Sequence, residues 1–332
     1  MFFSNKWRTV TVGLLAAGAV VLANEGSAFA AGAPGEEKGW HGEYYQDSSP
    51  NHNNRQITTQ GVMAEARTTN GNLLHIWRSA DGQGVLWGSW NGGEAFQLGG
   101  VRSNYSPTVV QFGGGVALFY THPTDHHIYW AWLNPRARGT NWTQLPFRSE
   151  YGPSVTQIPS QSGTQLYLAY REDDSLGTAI LGNFYDGQRW GDTQYIDAET
   201  HSAPTVTYNA ANRRIWVAHV DPTAAVQLNF QTLGSSNWSS TIRVGGSVYG
   251  PVGFASTGTN MQIAARSTAD NAIWYTEIGP DGRGLNGGNW TRDQSGQTTP
   301  WGVNLSVVNG IIYAITTATT LLSLYKQTYN GK

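Results

Sequence analysis

Short apolar runs recur along this chain at a near-constant interval. Each is opened by a turn and followed by a second apolar run that stops, in most units, at an aspartate. Aligned on the turns, the runs begin after Gly61, Pro107, Pro153, Pro204, Pro251 and Pro300, with gaps of 46, 46, 51, 47 and 49 residues. Runs this short, rich in β-branched and aromatic residues and bounded by Gly, Asn, Asp and Ser, read as strands. A unit of about 48 residues built only of such strands cannot bury a core alone, and six in tandem predict an all-β, six-bladed β-propeller of four-stranded blades.

Within a unit the strands can be placed individually. The inner strand follows the turn, as in Pro107-Thr-Val-Val-Gln-Phe112 and Pro204-Thr-Val-Thr-Tyr208. The second strand is expected at Leu73–Arg78, Val116–Thr121, Leu166–Arg171, Ile215–Val220, Met261–Arg266 and Ile311–Thr316. It ends in turns at Asp81, Asp125, Asp173-Asp174, Asp221 and Asp270, with Thr319-Thr320 in the last unit. A third strand follows, as in Ile128–Ala131, and a fourth opens near Trp142, Trp190, Trp238 or Trp290, with Phe96 as the weaker equivalent in the first unit.

The last unit runs out of chain after three strands. Arg55-Gln-Ile-Thr58, ahead of the first unit, is therefore expected to supply the missing fourth strand and close the ring. On this reading residues 55–332 are the propeller and 31–54 a linker. Residues 1–30 are a signal peptide: Lys6 and Arg8 precede an apolar run from Val10 to Leu22, and Ala28-Phe29-Ala30 offers a small-residue cleavage site. The expectation is a secreted protein that does not insert in a membrane.

Composition narrows the chemistry. The chain has no cysteine, which removes thiolate nucleophiles and Cys-ligated zinc and leaves stability to packing and ring closure. A net charge of −2 with 13% charged residues lacks the basic footprint that a phosphate backbone needs, so nucleic acid is not an expected partner. The 41 glycines suit tight turns, whereas the 14 tryptophans and 16 tyrosines suit either packing between blades or stacking against a sugar.

Units such as Leu166-Tyr-Leu-Ala-Tyr-Arg171 followed by Asn183-Phe-Tyr-Asp-Gly-Gln-Arg-Trp190 resemble the bacterial tectonin-like and Photorhabdus-type propeller lectins over essentially all of the mature chain. The resemblance implies glycan partners, no cofactor, and sugars held between neighbouring blades on one face. The related fungal fucose binders use an arginine early in the second strand and a glutamate in the third. Here those regions hold Leu73 or Leu166 and Leu86 or Ala179, so fucose specificity is not implied.

Strands of a blade run alternately up and down, so the turn leading into the inner strand and the turn after the second strand share a face. Candidate ligand residues lie there. Ahead of the inner strands stand Tyr105, Tyr151, His201 and Tyr249, with Trp301 in the last unit; at the ends of the second strands stand Trp77-Arg78, Tyr120, Tyr170-Arg171, His219 and Arg266. Sugar C–H faces stack on aromatics and sugar hydroxyls accept guanidinium N–H bonds. The alternative is that these arginines pair with the turn aspartates, Arg78 with Asp81 and Arg171 with Asp173 or Asp174.

Other functions are less well served. Ser79-Ala-Asp-Gly-Gln-Gly-Val-Leu-Trp87 approaches a sialidase Asp-box with its glycine displaced, and no second unit matches. A sialidase-like glycosidase would need a close carboxylate pair in the centre, and a protein-interaction propeller would need an extended apolar patch. His126-His127 are expected on opposite sides of a strand and His201 with His219 in one unit, and no metal site is expected from them. The triplets at Asn141, Asn237 and Asn289 match a glycosylation pattern, but the repeat itself accounts for them.

Overall fold

The computed structural model describes residues 39–44, 61–91, 93–135, 140–160, 163–173, 177–258, 260–285, 287–293, 298–308, 311–317 and 324–330. The expected signal peptide lies outside them. The described residues form six antiparallel sheets of four strands each. Blades I to V are continuous in sequence. Blade I runs through Ala64–Arg67, Leu73–Arg78, Val85–Trp90 and Phe96–Arg102, and blade II through Thr108–Phe112, Gly115–Thr121, His127–Leu133 and Thr143–Arg148. Blade III begins at Ser154, blade IV at Thr205 and blade V at Val248. The inner strand of each blade lies against that of the next, and the sixth against the first, so the blades close into a ring. The molecule is a six-bladed β-propeller.

The expected second strands match the observed ones within one residue, except that Gly163–Arg171 starts three earlier. Their conspicuous apolar runs form because both faces are covered. Phe119 and Leu118, adjacent on one strand, are buried in different clusters, one between blades II and III and the other between I and II. Strand alternation sends successive side chains to opposite faces, and a blade packed on both sides buries both sets.

Tryptophans wedge the seams. Trp142 of blade II packs into the cluster shared with blade I, Trp190 of III into that shared with II, Trp238 of IV into that shared with III, and Trp290 of V into that shared with IV. Trp190 meets Phe119, Phe147 and Trp130 edge-on at 6.0, 5.8 and 6.2 Å. Trp142 and Trp290 immediately precede the outer strand. Trp190 and Trp238 lie further upstream, where each forms a bridge back to the third strand.

Two expectations at the ring closure are corrected. The fourth strand of blade VI is Gly39–Tyr44, from the stretch assigned to the linker, paired residue for residue with Leu324–Asn330 from Gly39↔Asn330 to Tyr44↔Tyr325. Arg55–Thr58, expected in that place, lies outside the described residues. A six-residue run suffices for the position. The second correction concerns Phe96. Register places Gly88 opposite Phe96 and Trp130 opposite Thr143, so the counterpart of Trp142 is Ala95.

The VI–I seam thus has alanine where four other seams have a tryptophan. Its apolar cluster is Met63, Trp77 and Ile315 with Trp87 and Ala95 against it. Polar contacts supplement it: Ser306 Oγ donates to Glu65 Oε1 at 2.5 Å, His75 Nε2 lies 3.4 Å from Glu65 Oε2, and Asn304 Nδ2 donates to Met63 O at 3.0 Å.

Two consequences can be measured. Trp190→Ala leaves a void between blades II and III and should cost about 3–5 kcal/mol by urea denaturation. Deleting the chain through Tyr44 uncovers the edge of Leu324–Asn330, and should lower the denaturation midpoint and promote self-association on sizing columns.

Candidate functional site

The last two residues of each second strand serve different seams. In blade I Trp77 turns towards blade VI, where it packs with Ile315, while Arg78 turns towards blade II and its Nη1 donates to Asn104 O at 2.6 Å. In blade II Tyr120 packs against blade I, and Thr121 Oγ1 donates to Tyr151 O at 2.7 Å in the turn leading into blade III. In blade V Ala265 packs against blade IV, and Arg266 Nη1 donates to Pro300 O ahead of blade VI. In these three blades the final residue is thus a clamp on the next blade's lead-in turn.

The residue before it is scaffold. Trp77, Tyr120, Tyr170 and His219 were expected on the ligand rim, but they are 5, 2, 2 and 1% exposed. Tyr120 stacks on Tyr129 and meets Trp142 edge-on at 4.7 Å. Tyr170 stacks on Phe147, and its hydroxyl donates to Asn183 Oδ1 at 3.1 Å. His219 Nε2 and Asn229 Oδ1 are 3.0 Å apart. Those asparagines are members of another repeated device. Ser89, Asn183, Asn229 and Thr276, equivalent positions on the third strands, each donate to a carbonyl of the following loop: Gly93, Gly191, Ser239 and Asn289. Burial of Tyr170 raises its phenol to about 12. Burial also lowers the His219 pKa, against the opposing pull of Asn229 and Asp221.

The turn aspartates are local as well. Asp81, Asp125, Asp221 and Asp270 each accept the N–H two residues on, from Gln83, His127, Thr223 and Ala272. This is the Asx turn, in which a short carboxylate replaces a backbone acceptor. Asp81 also accepts from Ser79 Oγ at 2.6 Å. In blade III, Asp173 takes Arg148 Nη2 of blade II at 2.9 Å and His126 Nδ1 at 3.1 Å.

What remains on the rim is the lead-in turn itself. Tyr105, Tyr151 and Trp301 are partly exposed and Tyr249 is 45% exposed. Four lead-in turns are built the same way: the N–H of Tyr105, Tyr151, Ser202 and Trp301 donates to a hydroxyl two residues earlier, on Ser103, Ser149, Thr200 and Thr299, whereas ahead of blade V the hydroxyl position is held by Val248 and Tyr249 lies in the ladder one residue before the equivalent position, Gly250. Those four hydroxyl residues are all but fully buried. Ser202 is therefore the fourth member of the column. His201 was expected there and is instead an exposed neighbour. The signal was readable as Ser/Thr-x-Tyr/Ser/Trp at 103–105, 149–151, 200–202 and 299–301; the same letters at 247–249 fall one residue out of register.

Two aromatic and arginine groups result. Around blades I to III, Tyr105 and Tyr151 lie 5.2 Å apart, and the Arg171 guanidinium sits 4.8 Å from the Tyr151 ring centre. Arg171 is 3% exposed, so this guanidinium is part of the packing. At the V–VI junction Tyr249 lies directly opposite Arg266 in the ladder, and the guanidinium covers one face of its ring at 4.3 Å. Arg266 Nε donates to Asn271 Oδ1 at 2.9 Å, and Ser247 and Thr268 hydroxyls pair at 2.7 Å alongside. Trp301 follows Pro300, whose carbonyl Arg266 holds.

Histidines form no metal cluster: among the described residues no group of three or more His, Cys, Asp or Glu side chains converges. His126 sits in the turn at φ 58° rather than on the strand, which begins at His127.

No protein-family model matches the chain, and no curated protein matches it. Solved structures do match in fold. A protein of unknown function from Dyadobacter fermentans superposes with a TM-score of 0.62 at 9% identity, over 90% of this chain and 100% of its own. The Aleuria aurantia lectin, as a mutant in complex with Fucα1-6GlcNAc, gives 0.57 at 13% identity over 84% and 99%. A subtype N11 neuraminidase-like protein of a flat-faced bat isolate gives 0.52 at 10% over 89% and 94%. At these identities the likeness is one of fold.

The depressed His219 pKa has a measurable sign. The unfolded chain binds a proton near pH 6.5 that the folded chain resists, so this contribution is complete above about pH 6.5 and declines as pH falls towards the lower folded value. His219→Gln should therefore lose less stability than the native chain when urea denaturation is moved from about pH 7.5 to about pH 5.5.

Proposed function

We propose that this chain is a secreted, non-catalytic carbohydrate-binding propeller whose sugars rest on the lead-in rim. The observation that carries the reading is Tyr249: one face of its ring lies under the Arg266 guanidinium, and it is 45% exposed in a surround of Asn271, Ser247 and Thr268 side chains. An accessible aromatic bordered by fixed donors and acceptors suits a sugar, which has an apolar C–H face and a polar edge. Tyr105 and Tyr151 offer a second aromatic position on the same rim. The ligand set is thus narrower than the sequence suggests: Tyr105, Tyr151, Tyr249 and Trp301, with Arg78 and Arg266.

Two further points support this reading. The Aleuria aurantia lectin, with the same fold, carries Fucα1-6GlcNAc in its solved complex. Hydrolysis by a carboxylate pair would need two acids at the centre, and the inner strands carry one, Glu65, which is held by Ser306 beside His75. Separate weak sites on one rim would gain avidity on a multivalent surface.

A glycan array probed with the purified chain tests the proposal. Binding to defined glycans is expected, weakened about tenfold or more in Tyr249→Ala and Tyr105→Ala. It should be unchanged in Tyr195→Ala, an exposed tyrosine on the outer strand of blade III. An array that stays blank, or binding indifferent to both rim substitutions, would overturn it.

A further inference from the structure

The rim is not electrically uniform. Around blade III the arginines are matched by acids: Arg148 and Arg171 stand among Glu150, Glu172 and Asp173, and Arg148 pairs with Asp173 at 2.9 Å. The V–VI junction differs. The segments 246–252, 266–272 and 298–304 that build it contain one acid, Asp270, and its carboxylate is taken by Arg292 Nε at 3.2 Å and by the Ala272 N–H. Among the described residues Arg266 donates only to neutral acceptors, Asn271 Oδ1 and Pro300 O. Residues 294–297, Gln-Ser-Gly-Gln, add no charge to the sequence around it.

Arg266 is therefore a cation held in place by neutral groups with donors to spare. A guanidinium has five N–H bonds, and the two contacts above engage Nε and one hydrogen of Nη1. Part of its hydration is already stripped, since burial draws its pKa below the ordinary arginine value against the opposing pull of Tyr249. A fixed, partly desolvated guanidinium without a carboxylate partner is the arrangement that binds planar oxyanions well. For a neutral sugar, hydroxyls can accept from it but leave its charge uncompensated.

We propose, building on the carbohydrate-binding reading, that the V–VI rim site is selective for acidic saccharides: Arg266 receives a carboxylate or sulfate ester while Tyr249 stacks on the sugar ring that bears it. Ser247, Thr268 and Asn271 then border the remaining hydroxyls. Blade I repeats part of this inventory, with Arg78 and Asp81 in the positions of Arg266 and Asp270, but the position of Arg292 is held by Gln97.

The test uses the full chain and matched oligosaccharides that differ only in a terminal group: neutral, carboxylated or sulfated. Affinities are measured by titration calorimetry at about 50 mM and about 500 mM salt, which separates screened from unscreened charge. The native chain should favour one or both acidic forms by about tenfold at low salt, with the carboxylated and sulfated arms naming the anion recognised. Arg266→Gln should abolish that preference. Because Arg266 also clamps Pro300, Asn271→Asp is the companion variant: it keeps the clamp, tolerates the positive φ of 58° and supplies the missing carboxylate. It too should erase the preference, with an unchanged thermal midpoint. Equal affinity for neutral and acidic forms, or a preference that survives in both variants, overturns the selectivity and leaves the lectin reading standing. Failure of all the saccharides to bind overturns both.

Discussion

A propeller blade is a sheet with two apolar faces and no core of its own, so each seam between blades must be filled from both sides. That requirement governs nearly every conspicuous residue in this chain. Second strands carry unbroken apolar runs because alternate side chains enter different seams. Tryptophans near the outer strands fill the wide end of four seams, where diverging blades leave the most space. The VI–I seam, where the last blade meets the first, follows the rule least. Alanine replaces the wedge, and a buried glutamate with its serine and histidine supplies polar contact. A paired buried carboxylate contributes less net stability than good apolar packing, but it is strict about register. Strictness is useful where two segments far apart in sequence must find one alignment.

The same geometry separates scaffold from surface at the ends of the second strands. One residue faces back into a filled seam and is lost to ligand; the next faces forward and clamps the following turn. Three clamps of different chemistry, Arg78, Thr121 and Arg266, reach the same kind of acceptor. The lead-in turn is in turn fixed by a buried hydroxyl that holds its backbone N–H. With the backbone position fixed, its side chain is free to vary, and it does: Tyr105, Tyr151, Ser202 and Trp301 occupy one structural position. Variation on a fixed backbone is how a symmetrical ring acquires unlike sites. The uncompensated charge of Arg266, against the acid-rich surround of Arg171, is an instance at the level of electrostatics.

Much of this was legible in the amino-acid order. Repeat period, strand positions and blade number follow from local patterns, because strand formation and turn chemistry depend on residues close in sequence. The lead-in motif of a hydroxyl residue two ahead of the rim residue was equally local, and reading it would have placed Ser202 rather than His201 in the column. What sequence order did not decide was which aromatics face water. Tyr170 and Tyr249 look alike in their runs, yet one is sealed against Phe147 and Asn183 while the other stands exposed under Arg266. Nor did it decide that Gly39–Tyr44 closes the ring, since a strand of six residues carries little pattern of its own and is selected by the open edge of Leu324–Asn330. Local chemistry determined the blades; the partners across each seam, which come from residues some 45 or more positions away or from the opposite end of the chain, decided which side chains were left for function.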